Sequence, residues 1–324
     1  MDRHGQRPDM SSMSVKGVTS SRVYYPLKKE LPKNKRSSPE ISPCIYKAYM
    51  RIIRKWRKTM TIIKSEDMSN EEYHAHPALG SSSVKTVSNR SLAHWKGQVR
   101  KESHAFDLGS AVHAMLLEPE KQLVIRGPET RRGKAWTELK DEADTLGKIL
   151  LTEADYDLAN NMTDACMGNN MASHLLTNPD LLAEASFFAT DPDIDIELKT
   201  RPDGLLREAG IVLDVKTCQD ASPRGFERAV RTFGYDLQAA FYMHVLRLNK
   251  VRVDNFIFIC VEKDAPHVTA CYELSDMYLR HAHNRMMATL VDIKQAQTDD
   301  HYGTNWPDLG TIHLPAWMDS ETAF

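Results

Sequence analysis

The sequence predicts an α/β (α+β) fold in which a small central mixed sheet is flanked by helices. Three observations carry that expectation. Apolar positions recur at helical spacing across 136–176, and short β-branched or aromatic runs punctuated by turn residues lie at 185–189, 194–200, 211–217 and 255–261. Long helical stretches at 226–248 and 275–297 alternate with the last of these runs, as helices covering a sheet must.

Taken in order, SSSVKTVSNRSLAH (81–94) reads as helical, and Asp107 can cap a helix through LGSAVHAMLLE that Pro119 stops. The turn-rich RPDGLLREAG separates the runs 194–200 and 211–217, which predicts that these two strands are antiparallel neighbours. NFIFICV (255–261) has the continuous apolar character of a strand covered on both faces. No internal repeat is visible.

Composition sets outer limits. Of 324 residues, 41% are hydrophobic and 27% charged, as in ordinary globular chains. No apolar run approaches the roughly 18 residues that span a bilayer, and MDRHGQRPDMSS lacks the apolar core of a secretory signal, so the expectation is a cytoplasmic protein with no membrane partner. The five cysteines are odd in number, widely spaced and without a CxxC pair. They read as reduced, mostly buried thiols, not as a disulfide framework or a cysteine-built zinc or iron–sulfur site.

The net charge of −2 conceals two unlike segments. Residues 1–64 carry 16 Lys and Arg against 4 Asp and Glu, net +12, which leaves 26 against 40, net −14, for the remainder. We expect 1–67 to be a basic, disordered extension and 68–324 to be the folded domain. Within the extension, YKAYMRIIRKWRKTMTII is a basic amphipathic stretch suited to DNA phosphates or an acidic surface. Alternatively the extension is dispensable, or translation starts at Met68.

The chemistry concentrates in IVLDVKTC (211–218). Side chains alternate along a strand, so Asp214 and Lys216 share one face about 6–7 Å apart, with Leu213 and Val215 on the other. An antiparallel neighbour carrying Asp203 (RPDG) would bring a second carboxylate beside Asp214, and two adjacent carboxylates repel unless a cation sits between them. Mg²⁺, with Mn²⁺ as a substitute, suits such a site because it leaves positions for a substrate phosphate. Lys216 would then face the developing charge on phosphorus. An isolated Asp-x-Lys pair is more often a solvated surface pair.

The company of that pair makes it specific. Gly109-x-x-x-His113, Pro202-Asp203, Asp214-Val-Lys216 and Gln238-x-x-x-Tyr242 occur in the order of the RecB-type branch of the PD-(D/E)XK nuclease superfamily. The text around them (YHAHPALGSSSVKTVSNRSLAHW, FDLGSAVHAMLLEPE, DVKTCQDASPRGFERAVRTFGYDLQAAFY) resembles RecE-type exonucleases, the exonuclease VIII group of phages and prophages, over roughly 68–324.

The resemblance implies a PD-(D/E)XK, restriction-endonuclease-like core. It also implies that His113 lies over the metal site as a ligand or orienting group, and that Gln238 and Tyr242, one helical turn apart, hold the Asp214–Lys216 strand and contact a phosphate or base. Asp203 and Asp214 would hold the metal, and Glu184 is a further candidate ligand.

Other polar residues are given a type and a place by the sequence but no geometry. Lys85, Ser88 and Trp95 belong to a candidate DNA-facing helix pair, and Arg201 is a candidate phosphate contact. Arg131 and Arg132 lie in RGPETRRGKAW, which reads equally as a DNA-gripping loop or a solvated one. His74 and His76, next to Pro77, read as a loop and not as ligands.

The resulting expectation is a Mg²⁺-dependent exodeoxyribonuclease. It would act on linear duplex ends from 5′ to 3′, work as a homo-oligomeric ring, and leave 3′ strands for a single-strand annealing partner in recombination. Two alternatives stand beside it. Iron–sulfur members of the RecB-type branch are disfavoured by the cysteine spacing, and a catalytically silent DNA-binding or recombination-accessory protein is disfavoured by the intact Asp203, Asp214 and Lys216.

Overall fold

The computed structural model describes residues 63–64, 67–98, 104–304 and 306–314, with the backbone alone at 104–107. The basic extension and its amphipathic stretch lie outside the described residues, apart from 63, 64 and 67. Ile63 is buried and forms an antiparallel bridge with Ser186.

The described chain runs α1 (Asn70–Ala75), α2 (Ser81–Asn89), α3 (Leu92–Lys96), α4 (His104–Leu117), β1 (Val124–Arg126), α5 (Lys134–Leu146), β2 (Ile149–Leu151), α6 (Glu153–Gly168) and α7 (Asn170–Leu176). There follow β3 (Leu181–Ala183), β4 (Phe187–Asp191), β5 (Ile196–Thr200), β6 (Gly204–Leu206), β7 (Ile211–Cys218), α8 (Pro223–Phe233), α9 (Tyr235–Leu248), β8 (Asn255–Glu262), β9 (Thr269–Glu273) and α10 (Asp276–Asp299). Among the described residues no helix is long and apolar enough to cross a membrane.

A five-stranded mixed sheet of order β3-β6-β7-β8-β9 forms the centre, with β7 and β8 parallel and the other neighbours antiparallel. The parallel pair requires a crossover, which α8 and α9 supply. Strand alternation divides the core. Val212, Phe256 and Phe258 pack on one face with α9, α10 and α2, whereas Val215, Ile259 and Val261 pack on the other with α4, α6 and α7. Asp214 and Lys216 share the first face, as their spacing requires.

The anticipated α/β fold with a small central mixed sheet flanked by helices is therefore present, with local corrections. The strand 196–200 is not the neighbour of 211–217; it pairs with β4 in a separate two-stranded hairpin. The neighbour is β6, a three-residue strand inside the segment read as a turn, in register Gly204↔Leu213. A Cβ at Gly204 would stand 2.8 Å from Leu181 Cδ1, so a larger residue there would push the Leu181 side chain aside. Asp203 thus lies opposite Asp214, though through a different strand from the one expected.

The long helix 226–248 is two helices. Gly234 takes φ +64° between them, a left-handed conformation that ends α8 and redirects the chain into α9. The stretch 136–176 is interrupted by β2, which pairs in parallel with β1, and again at Asn169, whose side-chain oxygen caps α7 by accepting from the amides of Met171 and Ala172. Ser91 divides 81–94 into two helices by capping α3. Asp107 lies inside α4 and does not cap it, because the helix already begins at His104.

Candidate active site

The site forms around the junction of β6 and β7, with α2 and α9 over one face of the sheet and α4 over the other. β7 contributes Asp214, which is fully buried, and Lys216. Gln238, in the first turn of α9, donates from Nε2 to Asp214 Oδ1 at 2.6 Å. Lys85, on α2, donates from Nζ to Gln238 Oε1 at 3.2 Å. The other carboxylate oxygen, Oδ2, lies against the Lys216 ammonium in a charge-assisted ion pair. Lys216 Nζ also sits 5.0 Å above the Tyr235 ring.

A second group gathers beside this pair. His113 (α4), Glu184 (between β3 and β4) and Asp203 each offer an atom within 4.8 Å of the other two. Asp203 Oδ2 accepts from the Val215 amide at 2.6 Å and faces His113 Nδ1 at 3.4 Å. Beyond the last β6–β7 register pair, the Val215 N–H is received by this carboxylate and not by a main-chain carbonyl. Glu184 is held at φ 49°, an uncommon conformation for a non-glycine residue, with its amide donating to the Asp203 carbonyl at 3.1 Å.

Electrostatics mark the same residues. Burial raises the Glu184 carboxyl well above its usual range, and the neighbouring Asp203 charge raises it further. Asp214 is pushed up to about 6, chiefly by burial, although Lys216 pulls the other way. For Lys216, burial works to lower the pKa, but contact with Asp214, reinforced by Asp203, outweighs it and the ammonium is held charged. Lys85 is lowered to about 8, by burial first and then by Lys216. Tyr242 is raised well above its usual value by burial, and its hydroxyl is hydrogen-bonded to Ser81.

The donor set fits a divalent cation. Two carboxylates and one imidazole within a ligand's reach suit Mg²⁺ or Mn²⁺, and their mutual repulsion is relieved by a positive ion between them. Asp214 is not part of the three-residue group. Its carboxylate is occupied on both oxygens, by Gln238 at Oδ1 and by Lys216 at Oδ2.

The remaining expected residues are distributed differently. Arg201 is buried, donating from Nε to Ser186 Oγ at 2.7 Å and from Nη2 to the Met68 carbonyl at 3.0 Å, with its guanidinium 4.4 Å over Tyr73. Ser88 accepts from Arg285 Nη2 at 3.1 Å. Arg131 pairs with Asp155 at 3.4 Å and lies over Trp136, while Arg132 is exposed on the same loop. None of Arg131, Arg132 and Ser88 joins the carboxylate group.

Trp95 packs near Tyr302, and His76 accepts from the Ala78 amide beside Phe188. The four described cysteines are free thiols, with Cys166 and Cys260 buried. Sequence reasoning missed Glu118, a buried carboxylate paired with Lys121 at 2.5 Å whose charge acts on Glu184 and Arg201. Its only signal was an acidic residue between the apolar end of α4 and Pro119. It missed Tyr235 as well, which lies under Lys216.

This geometry agrees with the sequence comparison. The family described as a PDDEXK-like domain of unknown function (DUF3799) matches residues 81–308. The chain belongs to that family. The PDDEXK-like domain here is also similar in fold to a provisionally named exonuclease from Eubacterium rectale. The two share 15% identity and a TM-score of 0.52 over 79% of this chain and 99% of that one. A phage-related exonuclease from Haemophilus somnus 129PT matches 70% of this chain and 98% of its own length at 12% identity and a TM-score of 0.32. No curated protein matches the sequence.

A PDDEXK-like domain with its acidic pair and lysine in place has the equipment of a nuclease. The match extends from α2 to beyond α10 and so includes every residue of the site.

Proposed function

We propose that this protein is a Mg²⁺-dependent exodeoxyribonuclease that hydrolyses phosphodiester bonds at the ends of linear duplex DNA. The observation that carries the reading is the meeting of His113, Glu184 and Asp203 within 4.8 Å of one another beside the Asp214–Lys216 pair. A divalent cation bound there supplies Lewis acidity toward a phosphate oxygen.

The chain's own groups do the rest. Lys216, kept charged by Asp214, is available to orient an attacking water and to offset the negative charge that develops on phosphorus. Gln238 and Lys85 fix the Asp214 carboxylate from behind, so the lysine is presented by a braced strand and not by a loop. His113 Nδ1 lies 3.4 Å from the Asp203 oxygen that accepts from the Val215 amide.

The resemblance to RecE-type enzymes supports the finer terms. These are digestion from 5′ to 3′, a 3′ single strand handed to an annealing protein in recombination, and a ring of identical subunits around the duplex. The test is digestion of linear duplex labelled at its 5′ or 3′ end, with Mg²⁺ or with EDTA, by wild type and Asp214→Ala. Metal-dependent release of the 5′ label in short products, absent in the variant, is the expected result. A folded wild type that degrades nothing with Mg²⁺ or Mn²⁺ overturns the reading and leaves a DNA-binding accessory role to be measured by binding alone.

A further inference from the structure

The start of α9 grips the strand beneath it. Gly234, left-handed at φ +64°, ends α8 and makes Tyr235 the first residue of α9, with Gln238 three residues further on. Residues at i and i+3 lie about 5–6 Å apart on one helical face, close to the roughly 6–7 Å that separates Asp214 from Lys216 along β7. The two spacings match. Gln238 meets Asp214 at 2.6 Å and the Tyr235 ring lies 5.0 Å from Lys216 Nζ, so one helical turn holds both members of the charged pair.

Other rings brace that of Tyr235 on several sides. Its centre lies 6.0 Å from that of Phe226 at an interplanar angle of 26°, 6.0 Å from Phe258 and 5.6 Å from Phe233. Phe226 is in turn stacked on Tyr272 at 5.0 Å, and the Tyr272 hydroxyl donates to the Ala221 carbonyl at 2.6 Å. The Tyr235 hydroxyl, by contrast, makes no hydrogen bond among the described residues. What the braced ring offers Lys216 is its face.

An ammonium over an aromatic face is attracted by the ring quadrupole, most strongly where water is kept out, and the Lys216 side chain is only 15% exposed. Asp214 Oδ2 engages one of its three N–H groups. A pair to a single oxygen leaves the ammonium free to pivot about that oxygen. A second attraction from another direction removes this freedom and leaves the remaining donors for water and phosphate. Lys85 Nζ lies 6.0 Å from the same ring, but it is engaged by Gln238 Oε1 at 3.2 Å.

We infer that Tyr235 is a positioning residue for the reaction: its ring face holds the Lys216 ammonium in the orientation from which it meets the attacked phosphate. This rests on the nuclease reading and adds the group that aims its lysine. Tyr235 touches no reacting atom and acts only through Lys216.

The experiment measures single-turnover cleavage of an end-labelled linear duplex by the full chain in Mg²⁺, and duplex binding in EDTA, for Tyr235→Leu, Tyr235→Phe and replacements of Tyr235 by mono-, di- and trifluorinated phenylalanine. Fluorine withdraws electron density from the ring face while barely changing the size of the ring. Tyr235→Phe is expected to cut within about twofold of wild type, each fluorine to slow cleavage by a further factor of about two, and Tyr235→Leu to be slower by about tenfold. Binding in EDTA should stay the same throughout, because the ring serves the chemical step. The fluorinated rings are nearly isosteric, so the series decides even where Tyr235→Leu folds poorly.

A flat rate across the fluorinated series overturns this inference, and so does a Tyr235→Phe as slow as Tyr235→Leu, which would place the work in the hydroxyl. In both cases a wild type that cuts DNA keeps the nuclease reading. A folded wild type that cuts nothing overturns both.

Discussion

Replacing Gln238 by leucine keeps the volume of the side chain but removes the one hydrogen-bond donor to Asp214 Oδ1 among the described residues, reached at 2.6 Å on a fully buried residue. A hydrogen bond to a charged group contributes about 1.5–3 kcal/mol, and stranding a buried acceptor costs a comparable amount, so the loss at pH 8 should be about 3 kcal/mol. The loss depends on ionisation. The wild-type carboxyl titrates at about 6, and without Gln238 its charged form loses support, which moves that value up.

The folded variant therefore keeps its proton over a range where folded wild type has released it, and the stability gap widens as pH rises through about 6. At pH 5, where both are largely protonated, the gap should shrink to the roughly 1 kcal/mol of a neutral hydrogen bond. Urea unfolding of both proteins at the two pH values measures this directly. Equal gaps at pH 5 and pH 8 would refute the claim that Gln238 braces an ionised Asp214.

Other consequences are open to similar measurement. Adding Mn²⁺ or Mg²⁺ at a hundredfold excess over its Kd should stabilise wild type by about 2.7 kcal/mol, seen as a rise in Tm, and Asp203→Asn should lose most of that rise. In EDTA, Glu184→Gln should be more stable than wild type at neutral pH. The raised Glu184 carboxyl must give up a proton against burial and the Asp203 charge, so stability is lost as pH rises through its folded pKa, and calorimetry at pH 5 and 8 should show the advantage only at the higher value. Lys85→Met should abolish a component of stability that grows between pH 8 and 10.5, because wild-type Lys85 is lowered to about 8 and is discharged there only in the folded state. Gly234→Ala should cost about 1–2 kcal/mol in denaturant, since φ is +64° and the new Cβ would meet Asn89 Nδ2 at 3.1 Å.

The site was legible where chemistry is written in adjacent residues. The two-residue period of a strand suffices to place Asp214 and Lys216 together, and the run IVLDVKTC is β7 itself, one residue longer than the strand read from it. Asp203 was matched with Asp214 for an incorrect reason. The partner strand β6 is three residues long, and a three-residue strand after Pro-Asp-Gly has too little pattern to distinguish it from a turn. The break at Gly234 was missed because apolar periodicity continues on both sides of it, and one left-handed glycine leaves no trace in that periodicity. Glu118 and Tyr235 were missed because their roles depend on which layers meet over the site, information that no local window holds. Lys85 was placed among DNA contacts, whereas its ammonium reaches Gln238 inside the site.

The amide of Val215 holds the Asp203 carboxylate at 2.6 Å. Since the donor is main chain, every residue but proline at position 215 preserves it, and the aim of this acid is tolerant of change in the side chain below it. It is not tolerant of slippage between strands. The acid is set when β6 registers on β7 and is released when the two part. Local opening of a three-residue strand would therefore switch off the centre while the rest of the domain stayed folded, and slow exchange of the Val215 amide proton would report a competent site.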